Sequence, residues 1–547
     1  IAARYIANYF RRAGLRPVGT DKQNDASAPM DGSGYFQPFT FTAGVARGKE
    51  NRLEAVVNGK KMRYRLGTEF EPSGASASGK ASGEVIFVGY GIVSKDPPRD
   101  DYAGQNVSGK IVLLLAGAPS NDPHSPLMEH AAIRRKALIA RDKGAKAILV
   151  VLQKDSDNPQ INFDSTPTDS GIPILVLRRS VGKSWLKAAD KSLDDLEKML
   201  VKEPAAFPMG VQVDLVAEVK KVTKTSANII GLLEGSDPTL KQEVVIIGAH
   251  MDHLGMGGPS SLAETKKPVI HHGADDNASG TAGVLALAQY YGSLSTRPKR
   301  SLLFICFSGE ELGLLGSTHY VKNPILPLDR TVAMINMDMI GRMRNNRLIV
   351  VGTGTSPMWS GLVDDINKTA GFDISRSESG FGASDQQSFY ARNIPVLFFF
   401  TGLHSDYHRP SDTVEKINVE DQARVMEFIQ GCIDRIANNP ERPAFQRLAT
   451  TQENAPVRFR VSLGTIPDYA AEVEGVMLSG VRPGSPAEKA GLRAGDIIVK
   501  FGERSIRNVQ EYTIALSEHK PGDVVKIVVK RGKETLTLSA TLEGNRR

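Results

Sequence analysis

The residues able to do chemistry crowd between positions 244 and 317. VVIIGAHMDHLG, HHGADDNASGTAG and SLLFICFSGEELGLLGS follow one another there, each bringing acidic or imidazole side chains next to an apolar run or helical pattern. His250 stands just past the first run, with Asp252 two residues on. Imidazoles and carboxylates hold divalent metals, and a metal-bound imidazole needs its second nitrogen hydrogen-bonded, a bond Asp252 is placed to supply. His253 is a lesser candidate, suited to an outer position. Asp275 and Asp276 lie on a Gly-flanked turn before a helical pattern; adjacent carboxylates repel unless cations or donors compensate, and one carboxylate can bridge two metals. Glu310 and Glu311 stand back to back, so one can bind metal while the other faces an attacking water. A carboxylate beside metal-activated water is a ready general base. Asp338 follows the apolar stretch of INMDMIGR, and His408 sits beside Tyr407 in HSDYHRPSDT. Each motif has a plain alternative: loop polarity for HMD, a helix cap for the Asp pair, a charged first turn for the Glu pair. Their joint placement at strand ends and loops of one region makes a shared metal site the stronger reading.

The elements that must position these groups are short apolar strands. VVIIG, LLFICF, TVAMINMD and PVLFFF have no polar alternation, as strands buried on both faces do, and helical patterns such as TAGVLALAQYYGSL separate them. Alternation of this kind predicts a mostly parallel sheet with helices on both faces, whose carboxyl-end crevice is the usual ligand site. Upstream, residues 1–15 read as a helix, YFQPFTF and LEAVVNGK as strands, and the Gly/Ser stretch 73–83 as a loop or boundary. A second block follows, with strands EVIFVGYGI, GKIVLLLAG, AKAILVVL and IPILVL and a helix at HAAIRRKALIARDKGA. It carries no metal constellation, and its His124 and His130 read as surface residues. Residues 438–456 are polar and Pro-bearing, a linker. From Val457 a small unit alternates on a period of two.

Composition bounds the remaining possibilities. The chain has 547 residues, 41% hydrophobic and 24% charged, which suits roughly three ordinary globular domains. The net charge of +7 is diluted over that length and no Lys/Arg block stands out, so no nucleic-acid partner is expected. Cys306 and Cys432 read as two buried free thiols rather than a disulfide framework. No apolar run reaches the ~18 residues of a membrane span, so no integral membrane segment is expected in this chain. It begins with Ile1, which reads as a fragment or a processed form.

The order HMD, ADDNASG, GEELGLLGS, NMD, YHRPSDT resembles the co-catalytic zinc exopeptidases of the bacterial leucyl aminopeptidase and glutamate carboxypeptidase type. The resemblance covers about residues 1–65 and 226–440. It implies the zinc exopeptidase fold, with two zinc ions per chain: His250 and Asp338 on one, Glu311 and His408 on the other, Asp276 bridging. It further implies zinc-bound hydroxide as nucleophile, Glu310 as general base, Asp252 orienting His250, Tyr407 donating to the oxyanion, and a cis peptide between Asp276 and Asn277. The second block, 66–225, resembles a protease-associated domain inserted into the catalytic one. Residues 457–547, through GSPAEKAGLRAGDIIVKFG, resemble a PDZ domain, with SLGTI where a peptide C-terminus would be held; a purely structural β-module is the alternative. Ser384–Asp385–Gln386 departs from the family's usual SDH, which puts Asp385 on the substrate wall; Met339 and Phe399 are further pocket candidates. Arg342 is the one weak candidate for a substrate carboxylate. The expected activity is therefore a zinc aminopeptidase acting on peptides with free N-termini. The alternatives are a carboxypeptidase or dipeptidase of the same fold, or a receptor-like binding protein with PDZ-mediated partner capture. Single-zinc glutaminyl cyclase chemistry fits less well, and no GxSxG or HExxH occurs. Family habit implies export to the periplasm or outside the cell.

Overall fold

The structure is a computed structural model; it describes residues 1–544 except 21–33, 96, 121–124, 162–167, 259, 266, 383, 447–460, 469, 470, 472 and 483. The largest sheet is built around four neighbouring parallel strands in the spatial order Ser301–Phe307, Val244–His250, Thr331–Met337, Val396–Phe400. Every residue of the first three is buried, which is why they carry unbroken apolar runs rather than alternation. The chain leaves Val244–His250 for a strand on one side and then returns to a strand on the other. The strand order therefore reverses at this strand, and a crevice opens at its carboxyl end. Antiparallel pairings flank these four and make the sheet mixed rather than mostly parallel: Val219–Leu233 pairs with Ser301–Phe307 on one side, and Arg347–Val351 with Val396–Phe400 on the other.

Helices cover both faces. On one, Ala2–Arg12, Gly280–Ser293, Met358–Ala370 and Val419–Asn438 bury Phe10, Tyr291, Trp359 and Phe428 against the sheet. On the other, Leu315–Lys322 and Gln386–Tyr390 bring Tyr320 and Phe389 onto Phe307 and Met334. Cys306 and Cys432 are buried free thiols, as the sequence implies.

A second sheet of eight strands has its own core, including Trp185, whose indole N–H donates to the Tyr64 hydroxyl at 2.6 Å. Its parallel part joins Gly79–Val88, Ile111–Leu115, Ala147–Val151 and Ile174–Leu177. The strands Arg52–Val57 and Lys60–Arg63 pair into this sheet too, so it begins before residue 66. Likewise the Gly/Ser stretch expected as a loop becomes strand from Gly79, because its backbone pairs with Ala206–Ala217. His124 lies outside the described residues. His130, expected at the surface, is buried, and burial first, then Arg135 and Lys136, pushes it down to about 4.

Lys136 is wholly buried in this unit, its ammonium donating to the carbonyls of Leu115 at 2.7 Å and Gly117 at 2.6 Å. Burial holds it down at about 7, against a raising influence of Asp101. Between that value and the ordinary lysine range the unfolded chain binds a proton that the folded chain does not. Stability at this site is therefore lowest below pH 7 and rises as pH climbs toward the lysine range. The unfolding free energy of wild type minus that of Lys136→Met is expected to grow between about pH 6.5 and about pH 9, measured by denaturant titration; a constant difference contradicts the assignment.

The C-terminal unit is a six-stranded antiparallel arrangement with the helices Pro486–Lys489 and Val509–Ser517 around a core containing Phe501 and Tyr512. Thr465–Pro467, which begins in the SLGTI segment, is an edge strand of it. The unit touches both others: Lys322 pairs with Asp468 at 2.6 Å, Arg141 with Glu511 at 2.9 Å, and Arg504 with Asp142 at 2.9 Å. The segment expected as a linker starts docked on the first unit, where Arg442 donates to the Asp329 carbonyl and the Phe445 ring meets Tyr390 at 5.6 Å. Among the described residues, no helix is long and apolar enough to cross a membrane.

Candidate metal centre

Parallel strands ending at one edge deliver the polar groups to a single crevice. His250 is the last residue of its strand, Asp338 follows Thr331–Met337 directly, and Glu310 and Glu311 come three and four residues after Ser301–Phe307. The loop after Val396–Phe400 brings Tyr407 and His408. Asp275 and Asp276 enter on a tight turn in front of the helix Gly280–Ser293. Gly273 makes that turn possible: its φ is +62°, and a Cβ there would lie 2.4 Å from the Asp276 carbonyl oxygen and 2.6 Å from the His253 ring. The Asp276–Asn277 peptide is cis. The Asn277 side chain knits the turn to the Asp338 loop, donating to the Met337 carbonyl and accepting from the amides of Met339 and Gly280.

Asp276 sits between two groups of ligand-type atoms. Its Oδ1 lies 3.5 Å from His250 Nε2, which is 3.3 Å from Asp338 Oδ2. Its Oδ2 faces the other way, 3.3 Å from His408 Nε2, which is itself 3.3 Å from Glu311 Oε2. Tetrahedral zinc with ordinary N and O bond lengths sets its ligand atoms about 3.3–3.5 Å apart. The four separations match that spacing, so the donor set fits zinc on both sides of Asp276. The triads His250–Asp276–Asp338 and His253–Asp276–Glu311 each converge closely enough to hold an ion. Asp338 Oδ1 is buried without a hydrogen-bond partner, consistent with a donor set shaped for a cation.

The electrostatics point the same way. Burial opposes a charge on His250, yet Asp338 and Glu310 around it raise its pKa well above the ordinary imidazole value. Burial likewise disfavours charge on His408, but hydrogen bonds to Asp276 and Glu311 bring it up to about 10. Burial would raise Glu311, and bonds from His253 and His408 hold it down at about 2. Glu310 goes the other way: burial first, then Asp338 and Asp385, push it well above the carboxylate range. The two adjacent glutamates thus have opposed environments, one lowering and one raising the carboxyl pKa.

His253 also stands at the centre. Its Nδ1 meets Glu311 Oε1 at 2.8 Å and lies 3.8 Å from Asp276 Oδ2. Asp252 differs from the expected carboxylate–imidazole pair. His250 Nδ1 meets the Asp252 backbone carbonyl at 3.1 Å, while the Asp252 carboxylate stands 4.0 Å away. That carboxylate instead accepts from the amides of Glu310 at 3.1 Å and Glu311 at 3.3 Å, fixing the pair. Tyr407 stacks on His408 with ring centroids 3.9 Å apart, and burial, then Asp276 and Glu311, raise its pKa so that the phenol stays protonated.

The pocket residues fare differently. Phe399 is core, packed on Phe428 with no exposed surface, and Met339 is also buried. A strand buried on both faces gives no sign of which side chain reaches a pocket, and the Phe run belongs to such a strand. Asp385, expected on the substrate wall, is fully buried, and burial raises its pKa. Arg342 is occupied by Asp406 at 2.7 Å and His404 at 3.1 Å. Sequence reasoning missed His404 and Asp412. His404 lies 3.3 Å from Asp275, and Asp412 accepts from the amides of Asp275 and Asp276. The one signal for either is the density of polar residues in HSDYHRPSDT.

Two parts of the chain are similar to known proteins. Residues 228–432 match the model of Peptidase family M28, and residues 450–542 match the PDZ domain. Aminopeptidase YwaD of Bacillus subtilis is 27% identical over 356 residues, 62% of this chain and 65% of that protein. An aminopeptidase of Pseudomonas aeruginosa is 24% identical over 360 residues, 64% of this chain and 57% of that protein. The chain thus spans less than two thirds of the length of these relatives. The solved structure of an aminopeptidase from Aneurinibacillus sp. strain AM-1 aligns over 83% of this chain and 92% of its own, at 23% identity and a TM-score of 0.45.

Proposed function

We propose, from the premise that residues 228–432 are a Peptidase family M28 domain and residues 450–542 a PDZ domain, that the chain is a zinc-dependent aminopeptidase removing N-terminal residues from peptides. The observation that carries the reading is Asp276, whose two oxygens face His250 with Asp338 on one side and His408 with Glu311 on the other. Two zinc ions per chain would be held by these residues, with Asp276 shared and His253 able to join Glu311. When bound, paired zinc ions lower the pKa of water and polarise the peptide carbonyl. Glu310, its amide fixed by Asp252 and its carboxylate 3.9 Å from His250, takes the proton of the attacking water and passes it to the leaving amine. Burial, Asp338 and Asp385 raise its pKa, which makes the carboxylate a stronger proton acceptor. Tyr407, kept protonated, donates its hydroxyl to the oxygen that gains charge.

An aminopeptidase is favoured over a carboxypeptidase because Arg342, the candidate for a substrate carboxylate, is engaged by Asp406 and His404. On a panel of aminoacyl reporters, free-N-terminus substrates are expected to be cleaved and their N-acetylated counterparts to react at least about 100-fold more slowly. Cleavage of blocked peptides alone contradicts the proposal.

The eight-stranded unit is proposed as a protease-associated domain, supported by its parallel strands Ile111–Leu115, Ala147–Val151 and Ile174–Leu177 in the expected order. Capture of a peptide C-terminus by the PDZ domain is supported by Gly464 at φ +82° and by Thr465–Pro467, which ends its sheet among the described residues. Export to the periplasm or outside the cell belongs to the same proposal and rests on the resemblance alone.

A further inference from the structure

We propose that Asp412 is a positioning residue that sets both metal positions at once, an inference that rests on the metallopeptidase reading above. Asp412 is fully buried, and its Oδ2 accepts from the backbone amides of Asp275 at 3.0 Å and Asp276 at 3.1 Å. Its own carbonyl accepts from the Ala274 amide at 3.1 Å. One residue thus grips three successive amides of the turn that presents Asp276. Its other oxygen, Oδ1, is buried with no hydrogen-bond partner, so Asp412 meets a desolvation cost that two amide bonds only partly offset.

The placement explains why that cost is tolerated. Asp412 lies four residues past His408 on the same loop, so its carboxylate locks the His408 segment to the Asp276 segment. Asp275 extends the link to the third ligand segment: its Oδ1 accepts from the Gly341 amide at 2.7 Å, three residues past Asp338. Its Oδ2 faces His404 Nε2 at 3.3 Å. His404 Nδ1 accepts from the Asp406 amide at 3.2 Å, while Nε2 and Asp275 Oδ2 face each other without forming a hydrogen bond. The segments carrying Asp276, Asp338 and His408 are therefore joined beneath the centre through Asp412 and Asp275. Asp276 contributes to both donor sets, so a shift of its backbone moves both. The negative charge of Asp412 beneath the turn also strengthens the pull of Asp276 on a cation. Asp412 reaches neither donor set itself and acts through Asp276.

Metal-free wild type, Asp412→Ala and Asp412→Asn are titrated with cobalt(II), following the visible absorption bands and chelator competition. Tyr291→Phe, which loses a buried hydroxyl bonded to Asp434 at 2.8 Å away from the centre, serves as a stability control. Asp412→Ala is expected to weaken both cobalt equivalents by about 10–100-fold, the range for groups behind metal ligands, and to alter the bands. Asp412→Asn keeps an accepting oxygen without the charge and should fall between; Tyr291→Phe should lower thermal stability with affinities and bands unchanged. An Asp412→Ala protein that binds both equivalents like wild type, or loses only one, overturns the inference. Should Asp412→Ala fail to fold by circular dichroism, wild-type affinity and bands in Asp412→Asn overturn it instead. Wild type that takes up no cobalt overturns the metallopeptidase reading, and this inference with it.

Discussion

Glu310→Gln keeps its zinc and loses turnover by about 10²–10⁴-fold, the usual contribution of a positioned general base. The substitution preserves shape and leaves the amide–Asp252 bond in place, but the side chain can no longer accept the water's proton. Glu310 has the environment this role needs: burial and neighbouring acids raise its pKa, and its carboxylate stands 3.9 Å from His250, outside both triads. The loss should fall on kcat with KM little changed, because the residue acts in the transition state. Steady-state kinetics on an aminoacyl reporter, paired with metal analysis of the same sample, reads both quantities. A variant that loses metal in step with activity would exchange the roles of the two glutamates.

Glu311→Gln does the opposite, weakening metal retention by more than about 100-fold, because a direct ligand should matter more than the groups behind ligands, which are worth 10–100-fold. Glu311 is held ionised by His253 at 2.8 Å and His408 at 3.3 Å, and Gln removes the charge that both imidazoles face. Dialysis against a graded series of chelator concentrations measures the change. Retention equal to wild type would remove Glu311 from the donor set and leave His253 as the group to examine.

Much of this centre is legible in the chain because parallel strands write themselves plainly. A strand buried on both faces must be apolar throughout, so its end is marked by the first polar residue, and His250, Asp338 and the Glu310–Glu311 pair all follow such runs. Their convergence needs only adjacency of those strands, which alternation with helices predicts. What resists reading is whatever closes across long separations. Asp412 meets Asp275 from 137 residues away, and no local pattern announces that contact. The choice of sheet for Arg52–Val57 is equally nonlocal: its pattern says strand, while its partner lies at Ala206–Ala217. Asp252 shows a subtler limit. Its spacing to His250 suggests a side-chain bond, but the amides of Glu310 and Glu311 offer its carboxylate two donors, and the backbone carbonyl serves the imidazole instead. Phe399 fails as a pocket residue for the reason the strands succeed, since a run apolar on both faces hides which side chain points where.

The central claim is that Asp276 joins two metal positions, and the most direct measurement is the number of zinc equivalents bound per chain by titration of metal-free wild type. The account predicts two, taken up with recovery of aminopeptidase activity. A single equivalent that restores full activity, or none at all, would contradict it.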